Sequence, residues 1–351
     1  MAGSAKSALV LQGGGALGAY ELGAARALYS DNNFAPDLIA GVSIGAITAV
    51  LLARPRKPLT PLGALEAFWK KVTVPAPFLP GSARPYASFL GNPHFFMPRQ
   101  DYMNIFGWTY FYEIEPLRRT LEELVDLDAL ADKTALPRLL VSATDLKQGE
   151  IKYFYSDDPS YELSLDHIIA SGSLPLAFPA AEIGHTYYWD GGLFDNTPLG
   201  AVLDHLNDAP GVNRTVYVVN LFPNKAKIPA NMPEIAARMK NLQFANKSRE
   251  DMKLLDRFNK VAALIEALEA LPEGNPLEDH DAYKDIKAEH YIRVPSIVPI
   301  TQLDVPEQFG DADFSPDAIE KRADAGKRQA LRALEGSHMK RPSLAAAGAR
   351  R

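Results

Sequence analysis

The chain contains no cysteine, so disulfide bonds, thiolate metal sites and cysteine nucleophiles are all excluded. It has no apolar run near the roughly 20 residues of a membrane-spanning helix, and its first residues lack the apolar region of a signal peptide. It also has no excess of basic residues, because the formal net charge is −6, which disfavours a nucleic-acid partner. These absences predict a soluble, cytoplasmic protein.

The apolar residues that are present make up 47% of a 351-residue chain, enough for a large core. The pattern predicts a buried strand at 7–12, a helix from Gly18, a second strand at 34–42 and a helix at 44–53. This βαβα opening predicts an α/β fold in which a mainly parallel sheet carries helices on its faces.

Further along the chain the same patterns predict more strands and helices. The strands are expected at 136–143, 151–155, 187–189, 216–221 and 288–300. The helices are expected at 116–131, 161–172 and 315–334, and at 233–271 in one or two pieces. The segment 74–112 is dense in proline and aromatic residues and is interpreted as an irregular insertion. We therefore predict a catalytic domain over 1–221, a C-terminal helical region with the last strand over 222–336, and a disordered tail over 337–351.

A glycine-rich turn follows the first predicted strand at Gly13-Gly14-Gly15 and ends at Gly18. Glycines allow successive N–H groups to point into one concavity, and the following helix adds its positive dipole end. Such a turn binds an anion, either a phosphate or the oxyanion of ester hydrolysis, or it is a tight turn with no ligand. It also matches the dinucleotide fingerprint, but that function requires an acidic residue at the end of the second strand, and 39–43 contains none.

The second motif is GxSxG, formed by Gly41, Ser43 and Gly45 between a predicted buried strand and a helix. This is the context of a nucleophile elbow, in which flanking glycines permit a sharp turn and the serine stands exposed at a helix N-terminus. The helix dipole would favour the Ser43 alkoxide. The alternative is that Ser43 serves only as a helix N-cap.

A third motif, Asp190-Gly191-Gly192, follows a short predicted strand. A serine nucleophile needs a base, and Asp190 can accept its proton directly if the two side chains are within hydrogen-bond reach. The alternative is a simple Asp-Gly turn. A Ser-Asp-His triad through His280 or His290 is disfavoured because Ser43 lies too early in the chain. The seven histidines show no metal-ligand spacing, so no metal or other cofactor is predicted.

In this order the three motifs resemble the patatin-like phospholipase family, over roughly residues 7–221. Two further segments are similar to the family, Ala170-Ser171-Gly172 and Asn196-Thr197-Pro198, while Phe314-Ser315 resembles a domain of unknown function attached to many bacterial members. The resemblance implies a three-layer α/β/α fold and a dyad of Ser43 and Asp190. It also implies an oxyanion hole at Gly13, Gly14 and Gly15, supported by Gly18, Gly41, Gly45, Gly191 and Gly192. Many members carry Lys or Arg where this chain has Leu17, so no cationic contact is expected there.

The function implied by the resemblance is hydrolysis of lipid acyl esters without a cofactor, with transient contact to a membrane surface. Phe95, Phe96, Phe106 and Trp108 are candidates for an acyl-binding wall over Ser43, and core packing of the insertion is the alternative. Two other functions stay open at this point. One is a catalytically silent lipid-binding or scaffold protein, and the other is a dinucleotide-dependent oxidoreductase.

Overall fold

The structure is a computed structural model that describes residues 6–30, 34–77, 79, 83–206, 214–223, 225–269, 279–288, 296–303 and 310–340. Its strands are β1 (Lys6–Leu11), β2 (Leu38–Gly41), β3 (Met97–Pro98), β4 (Tyr112–Glu113), β5 (Arg138–Asp145), β6 (Glu150–Tyr155), β7 (Ala181–Ile183), β8 (Thr186–Asp190), β9 (Arg214–Asn220) and β10 (Ser296–Thr301). Its α-helices are α1 (Ala19–Leu28), α2 (Ile44–Ala53), α3 (Pro61–Val72), α4 (Glu115–Leu124), α5 (Leu127–Ala131), α6 (Leu165–Ser171), α7 (Leu199–His205), α8 (Met232–Glu269), α9 (Asp281–Ala288) and α10 (Pro316–Lys340).

The main sheet has the strand order β10-β9-β1-β2-β5-β8-β7, and β6 pairs with β5 off this path. The five strands from β10 to β5 are parallel, whereas β6, β8 and β7 add antiparallel pairs. Alternate residues of β1 face two cores: Leu9 and Leu11 pack with α1, α2 and α3, and Ala8 and Val10 pack with α7. A strand that is buried on both faces has apolar residues at consecutive positions of its sequence. The predicted α/β class and three-layer architecture are therefore confirmed.

Strand β5 brings the second and third sequence motifs together. The part of β5 from Leu140 to Asp145 pairs with β6 along one edge, so β2 and β8 must share the other edge. There β2 ends with Gly41 opposite Val141, and β8 ends with Asp190 opposite Ala143. Because β2 is parallel and β8 antiparallel to β5, their carboxyl ends meet. Ser43 and Asp190 consequently approach each other across about 150 residues of sequence.

The C-terminal elements belong to the same sheet and core. Strand β10 pairs in parallel with β9, and α10 packs along α1. The two helices are in close contact at their glycines. A Cβ at Gly23 would lie 1.7 Å from the Ala323 carbonyl oxygen, and a Cβ at Gly326 would lie 2.0 Å from the Tyr20 carbonyl oxygen. The predicted boundary after residue 221 therefore runs through one continuous sheet. Helix α10 reaches Lys340, inside the segment predicted as a tail, and 341–351 lies outside the described residues.

Several predicted boundaries shift. The second strand begins at Leu38 instead of residue 34, and the last strand begins at Ser296, with 289–295 outside the described residues. The single helix predicted over 116–131 is two helices, α4 and α5. The break occurs because the Asp126 carboxylate accepts a hydrogen bond from the Ala129 amide at 3.1 Å and caps α5.

Helix α8 is the long charged helix expected over 233–271, and it runs from Met232 to Glu269. Charged residues recur along its whole sequence. None of the helices in the described ranges is both long enough and apolar enough to cross a bilayer.

A buried carboxyl group lies between α1 and α2. Glu21 is fully buried and accepts a 2.7 Å hydrogen bond from the Thr48 hydroxyl, while its other oxygen has no partner among the described residues. Burial raises the pKa of Glu21 from 4.5 to about 8, and the Thr48 bond opposes that rise. The folded protein therefore keeps a proton on Glu21 at a pH where the unfolded chain has lost it.

We expect the free energy of unfolding to fall as pH rises from about 4.5 to about 8, because in that window the folded state binds the extra proton. The slope from one such group approaches about 1.4 kcal/mol per pH unit. Glu21→Gln keeps an acceptor for Thr48 and removes the titration, so the variant should be more stable than wild type at pH 8 and lack this part of the slope. Urea unfolding from pH 5 to 8 measures the difference. Equal slopes in the two proteins would show that Glu21 titrates normally.

Candidate active site

Ser43 occupies a strained turn between β2 and α2. Its backbone angles are φ 56° and ψ −123°, a region that non-glycine residues rarely adopt. A Cβ at Gly41 would lie 2.1 Å from the Gly45 oxygen, and a Cβ at Gly45 would lie 2.4 Å from the Leu11 oxygen. Both flanking positions of the GxSxG motif therefore require glycine. The strain is maintained by the buried strand and helix on either side.

Asp190 lies beside Ser43 at the end of β8. Its buried carboxylate accepts a hydrogen bond from the Gly192 amide at 2.7 Å, and the Ser43 hydroxyl lies close enough to affect its pKa. Burial raises the pKa of Asp190 to about 6, and the Ser43 hydroxyl and the Gly192 amide oppose that rise. A Cβ at Gly191 would lie 2.5 Å from the Ser142 oxygen, which explains the first glycine of this motif. The carboxylate is thus ionised at neutral pH and more basic than an exposed aspartate.

The end of α6 holds both residues by their backbones. The Ser43 amide donates to the Ser171 hydroxyl at 3.0 Å, and the Asp190 amide donates to the Ser173 carbonyl at 2.9 Å. Both Ser171 and Ser173 are fully buried. From the sequence, only a resemblance to the family singles out the segment around Ser171. These two hydrogen bonds show what the segment does physically, which is to hold the backbones of Ser43 and Asp190. They fix the separation of Ser43 and Asp190.

The glycine turn after β1 lies on the other side of Ser43. The Gly13 amide donates to the Asn196 carbonyl at 3.3 Å, and the Asn196 side chain donates back to the Gly13 carbonyl at 2.9 Å. The Ala16 amide donates to the Asp311 carbonyl at 2.8 Å. The amides of Gly14 and Gly15 have no acceptor among the described residues. Of the three predicted oxyanion donors, Gly14 and Gly15 are the two with an available N–H.

Asp311 and Arg322, from the C-terminal segments, hold this glycine turn in place through hydrogen bonds to Ala16. Gly15 has φ 57°, and a Cβ there would lie 2.3 Å from the Asp311 oxygen. The buried Arg322 of α10 donates to the Ala16 carbonyl at 3.2 Å and to the Asp313 carbonyl at 2.7 Å. Gly18 is close-packed too, since a Cβ there would lie 2.6 Å from the Ile44 side chain. The shape of the turn therefore depends on the far end of the chain.

A cavity of about 450 Å³ leads to Ser43 and Asp190. Its wall is mainly apolar and aromatic, and its aromatic lining residues are Phe89, Phe95, Phe96, Tyr112, Phe178, Phe222, Phe244 and Phe314. Of the four predicted acyl-binding residues, Phe95 and Phe96 line it. Phe106 is fully exposed, and Trp108 lies against the Arg99 guanidinium, 5.0 Å from the ring centroid, so neither belongs to the lining.

Several lining residues were not predicted from the sequence. Lys240, Phe244 and Asp311 come from C-terminal segments, and Lys240 forms an ion pair with Asp311 at the glycine turn. The only sequence signal in that region was the Phe314-Ser315 resemblance. Phe314 contacts the rings of Phe95 and Phe96.

No histidine lines the cavity in the part of the chain that the structure describes, and His290 lies outside that part. Among the described residues no group of three or more His, Asp or Glu side chains could hold a metal ion. The chemical groups nearest to Ser43 are thus its own hydroxyl, the Asp190 carboxylate and the amides of Gly14 and Gly15. A serine hydroxyl beside a buried carboxylate, next to amide donors without an acceptor among the described residues, has the groups that acyl transfer requires.

Comparison with known proteins gives the family. The patatin-like phospholipase family model matches residues 9–203, more than half of the chain, so the chain belongs to this family. Membership places it among the lipid acyl hydrolases. No curated protein matches the chain. The crystal structure of VipD from Legionella pneumophila is similar over 95% of this chain and 67% of that one, with 15% identity and a TM-score of 0.41, a likeness too distant to inform the function.

Proposed function

We propose that the protein hydrolyses carboxylic ester bonds of lipids through a Ser43–Asp190 dyad and an acyl-enzyme. The observation that carries the proposal is the position of the Ser43 hydroxyl beside the buried Asp190 carboxylate, where both line an apolar cavity. A carboxylate with a pKa near 6 is ionised at neutral pH, so it can accept the serine proton directly.

In the proposed reaction, Ser43 Oγ attacks the ester carbonyl carbon while its proton passes to Asp190. The amides of Gly14 and Gly15 donate to the oxygen that becomes negative, and no other protein group competes for them among the described residues. The tetrahedral intermediate then expels the alcohol, which takes the proton from Asp190. Water attacks the acyl-enzyme, its proton goes to Asp190 and on to Ser43 Oγ, and the fatty acid is released.

The cavity supports an acyl chain as the group on the carbonyl side. Its walls present phenylalanine rings and aliphatic side chains, and its volume falls in the range of about 300–1,000 Å³ that small-ligand sites occupy. The polar groups lie where Lys240 and Asp311 meet the glycine turn. This division suits a substrate with a long apolar chain and one polar ester end, as in phospholipids and related acyl esters.

Hydrolysis of p-nitrophenyl esters from acetate to palmitate tests the proposal, together with fatty-acid release from phosphatidylcholine vesicles. Each methylene buried on binding adds up to about 0.8 kcal/mol, so kcat/KM should rise by about tenfold or more between acetate and octanoate. A protein sample blocked with an alkyl organophosphonate supplies the background rate, and intact-mass measurement confirms that one site is modified.

Two outcomes would contradict the proposal. The protein could be inert on every ester and on vesicles while still binding fatty acids, which would make it a silent lipid-binding protein. It could instead be fastest on acetate, which would mean that the cavity does not hold the acyl chain.

A further inference from the structure

One side of the cavity opening is made of apolar side chains, and Lys240 and Gln243 lie elsewhere along it. Phe89, Leu174 and Leu193 line the cavity, and all three are also exposed to solvent. Folded proteins do not gain stability from large apolar side chains left in water, and extended exposed patches mark interaction sites. The mouth of the cavity is therefore the starting point of such a patch.

The patch continues away from the mouth through direct contacts. Leu176, next in the chain after Leu174 and Pro175, is exposed, and its carbonyl accepts the Phe111 amide at 2.9 Å. The exposed Phe111 ring lies 6.4 Å from the Trp108 ring, which lies 5.9 Å from the Tyr102 ring. The cavity mouth and the segment that begins at Tyr102 thus form one surface.

The far end of this surface is the 3-10 turn Tyr102–Gly107, which contains no buried residue. Met103 and Phe106 are fully exposed, and Ile105 is about half exposed. Core packing cannot explain these residues, since they contact little of the protein. We name the whole patch the apolar rim, and its members are Phe89, Leu174, Leu176, Leu193, Phe111, Trp108, Tyr102, Met103, Ile105 and Phe106.

The apolar rim carries little charge, and its one cation is paired. Between residues 97 and 113 the chain carries one arginine, one aspartate and one glutamate. The Arg99 guanidinium is bonded to Asp101 at 2.5 Å, lies 3.9 Å from Glu113, and stacks over Tyr110 at 4.4 Å from the ring centroid. An anionic surface would find no unpaired cation among these residues. The chemistry is that of tryptophan, tyrosine and aliphatic groups, which settle at the boundary between lipid headgroups and acyl chains.

We propose that the apolar rim docks on a zwitterionic lipid surface, with Met103 and Phe106 inserted among the acyl chains. This inference rests on the proposed function, because the argument for lipid over a protein partner is the continuity between the rim and the acyl-binding cavity. Docking in this orientation places the cavity mouth at the lipid boundary. An acyl chain then passes from the lipid to Ser43 without crossing water.

The absence of cysteine from the chain makes the test direct. Met103→Cys, labelled with the polarity-sensitive dye acrylodan, should show a blue-shifted emission when phosphatidylcholine vesicles are added. Leu136→Cys is the matched control, because Leu136 is also 70% exposed but precedes β5, at the end of the sheet opposite Ser43. Its emission should not change. Equal shifts at both positions, or none at Met103, would overturn the proposal.

A second measurement separates docking from catalysis. The double variant Met103→Ser/Phe106→Ser should release fatty acid from vesicles about tenfold or more slowly than wild type, since the two side chains drive insertion. Its rate on soluble p-nitrophenyl butyrate should be unchanged. Full vesicle activity in this variant would overturn the proposal. A dye shift that depends on protein concentration in the absence of lipid would also overturn it, because the rim would then bind another copy of the chain. If the protein proves inactive on all esters, the dye experiment still decides whether the rim binds lipid.

Discussion

Ser43→Ala is expected to lower kcat/KM for p-nitrophenyl butyrate by about 10⁴-fold or more, and Asp190→Asn by about 10²- to 10⁴-fold. Alanine removes the nucleophile, whereas asparagine keeps an acceptor for the Gly192 amide and loses only the ability to take a proton. Both variants should therefore remain folded. Circular dichroism and thermal unfolding, measured beside the rates, check that condition.

The pH profile gives an independent signature of the same pair. Because the pKa of Asp190 is raised to about 6, kcat/KM of the wild type should fall about tenfold per pH unit below that value, as the carboxylate becomes protonated. Glu21→Gln is the matched control, since Glu21 is another buried carboxyl but bonds to Thr48 and not to Ser43. In Glu21→Gln, kcat/KM should fall below about pH 6 in the same way as in the wild type. If Asp190→Asn retains more than about a tenth of wild-type activity, the base lies elsewhere.

Gly23→Ala is expected to destabilise the protein by about 3 kcal/mol or more. The added methyl carbon would lie 1.7 Å from the Ala323 oxygen and 2.8 Å from the Lys327 nitrogen, so only a separation of α1 from α10 can make room for it. Arg322 precedes Ala323 and holds the Ala16 carbonyl, so the esterase rate of the folded fraction should fall as well.

The control for this prediction is another helical glycine. Gly200 in α7 has no atom within 4 Å of its added Cβ, and it is exposed. Gly200→Ala should be neutral or more stable by up to about 1 kcal/mol, because alanine has the higher helix propensity. Thermal and urea unfolding of the two variants give the comparison. Equal stabilities would mean that the two helices are not in close contact at Gly23.

The nucleophile turn could be predicted from sequence because its constraints are local. The backbone of a strand-turn-helix unit forces glycine at positions 41 and 45, and those glycines flank the serine in the sequence. The partnership of Ser43 with Asp190 is different. It depends on β2 and β8 sharing one edge of β5, and no periodicity in either segment encodes that register. Only the resemblance to a family indicated it.

The four residues predicted to bind an acyl chain show a second limit of sequence-based prediction. Phe95 and Phe96 line the cavity, and Phe106, from the same aromatic segment, points into solvent. Composition alone cannot separate an inner wall from an outer surface, because both favour aromatic side chains. The contributions of Lys240, Asp311 and Arg322 could not be predicted either, since they arise from contacts between opposite ends of the chain.

The pairing of α1 with α10 has a consequence for how the protein is made. During synthesis helix α1 is complete at Leu28, but the helix that covers it does not begin until Pro316. Until then its inner face stays exposed, a condition in which nascent proteins aggregate or recruit chaperones. A chain terminated before Pro316 would lack both this cover and the arginine that shapes the glycine turn. The glycine turn therefore cannot take its final shape until the segment through Arg322 has been synthesised.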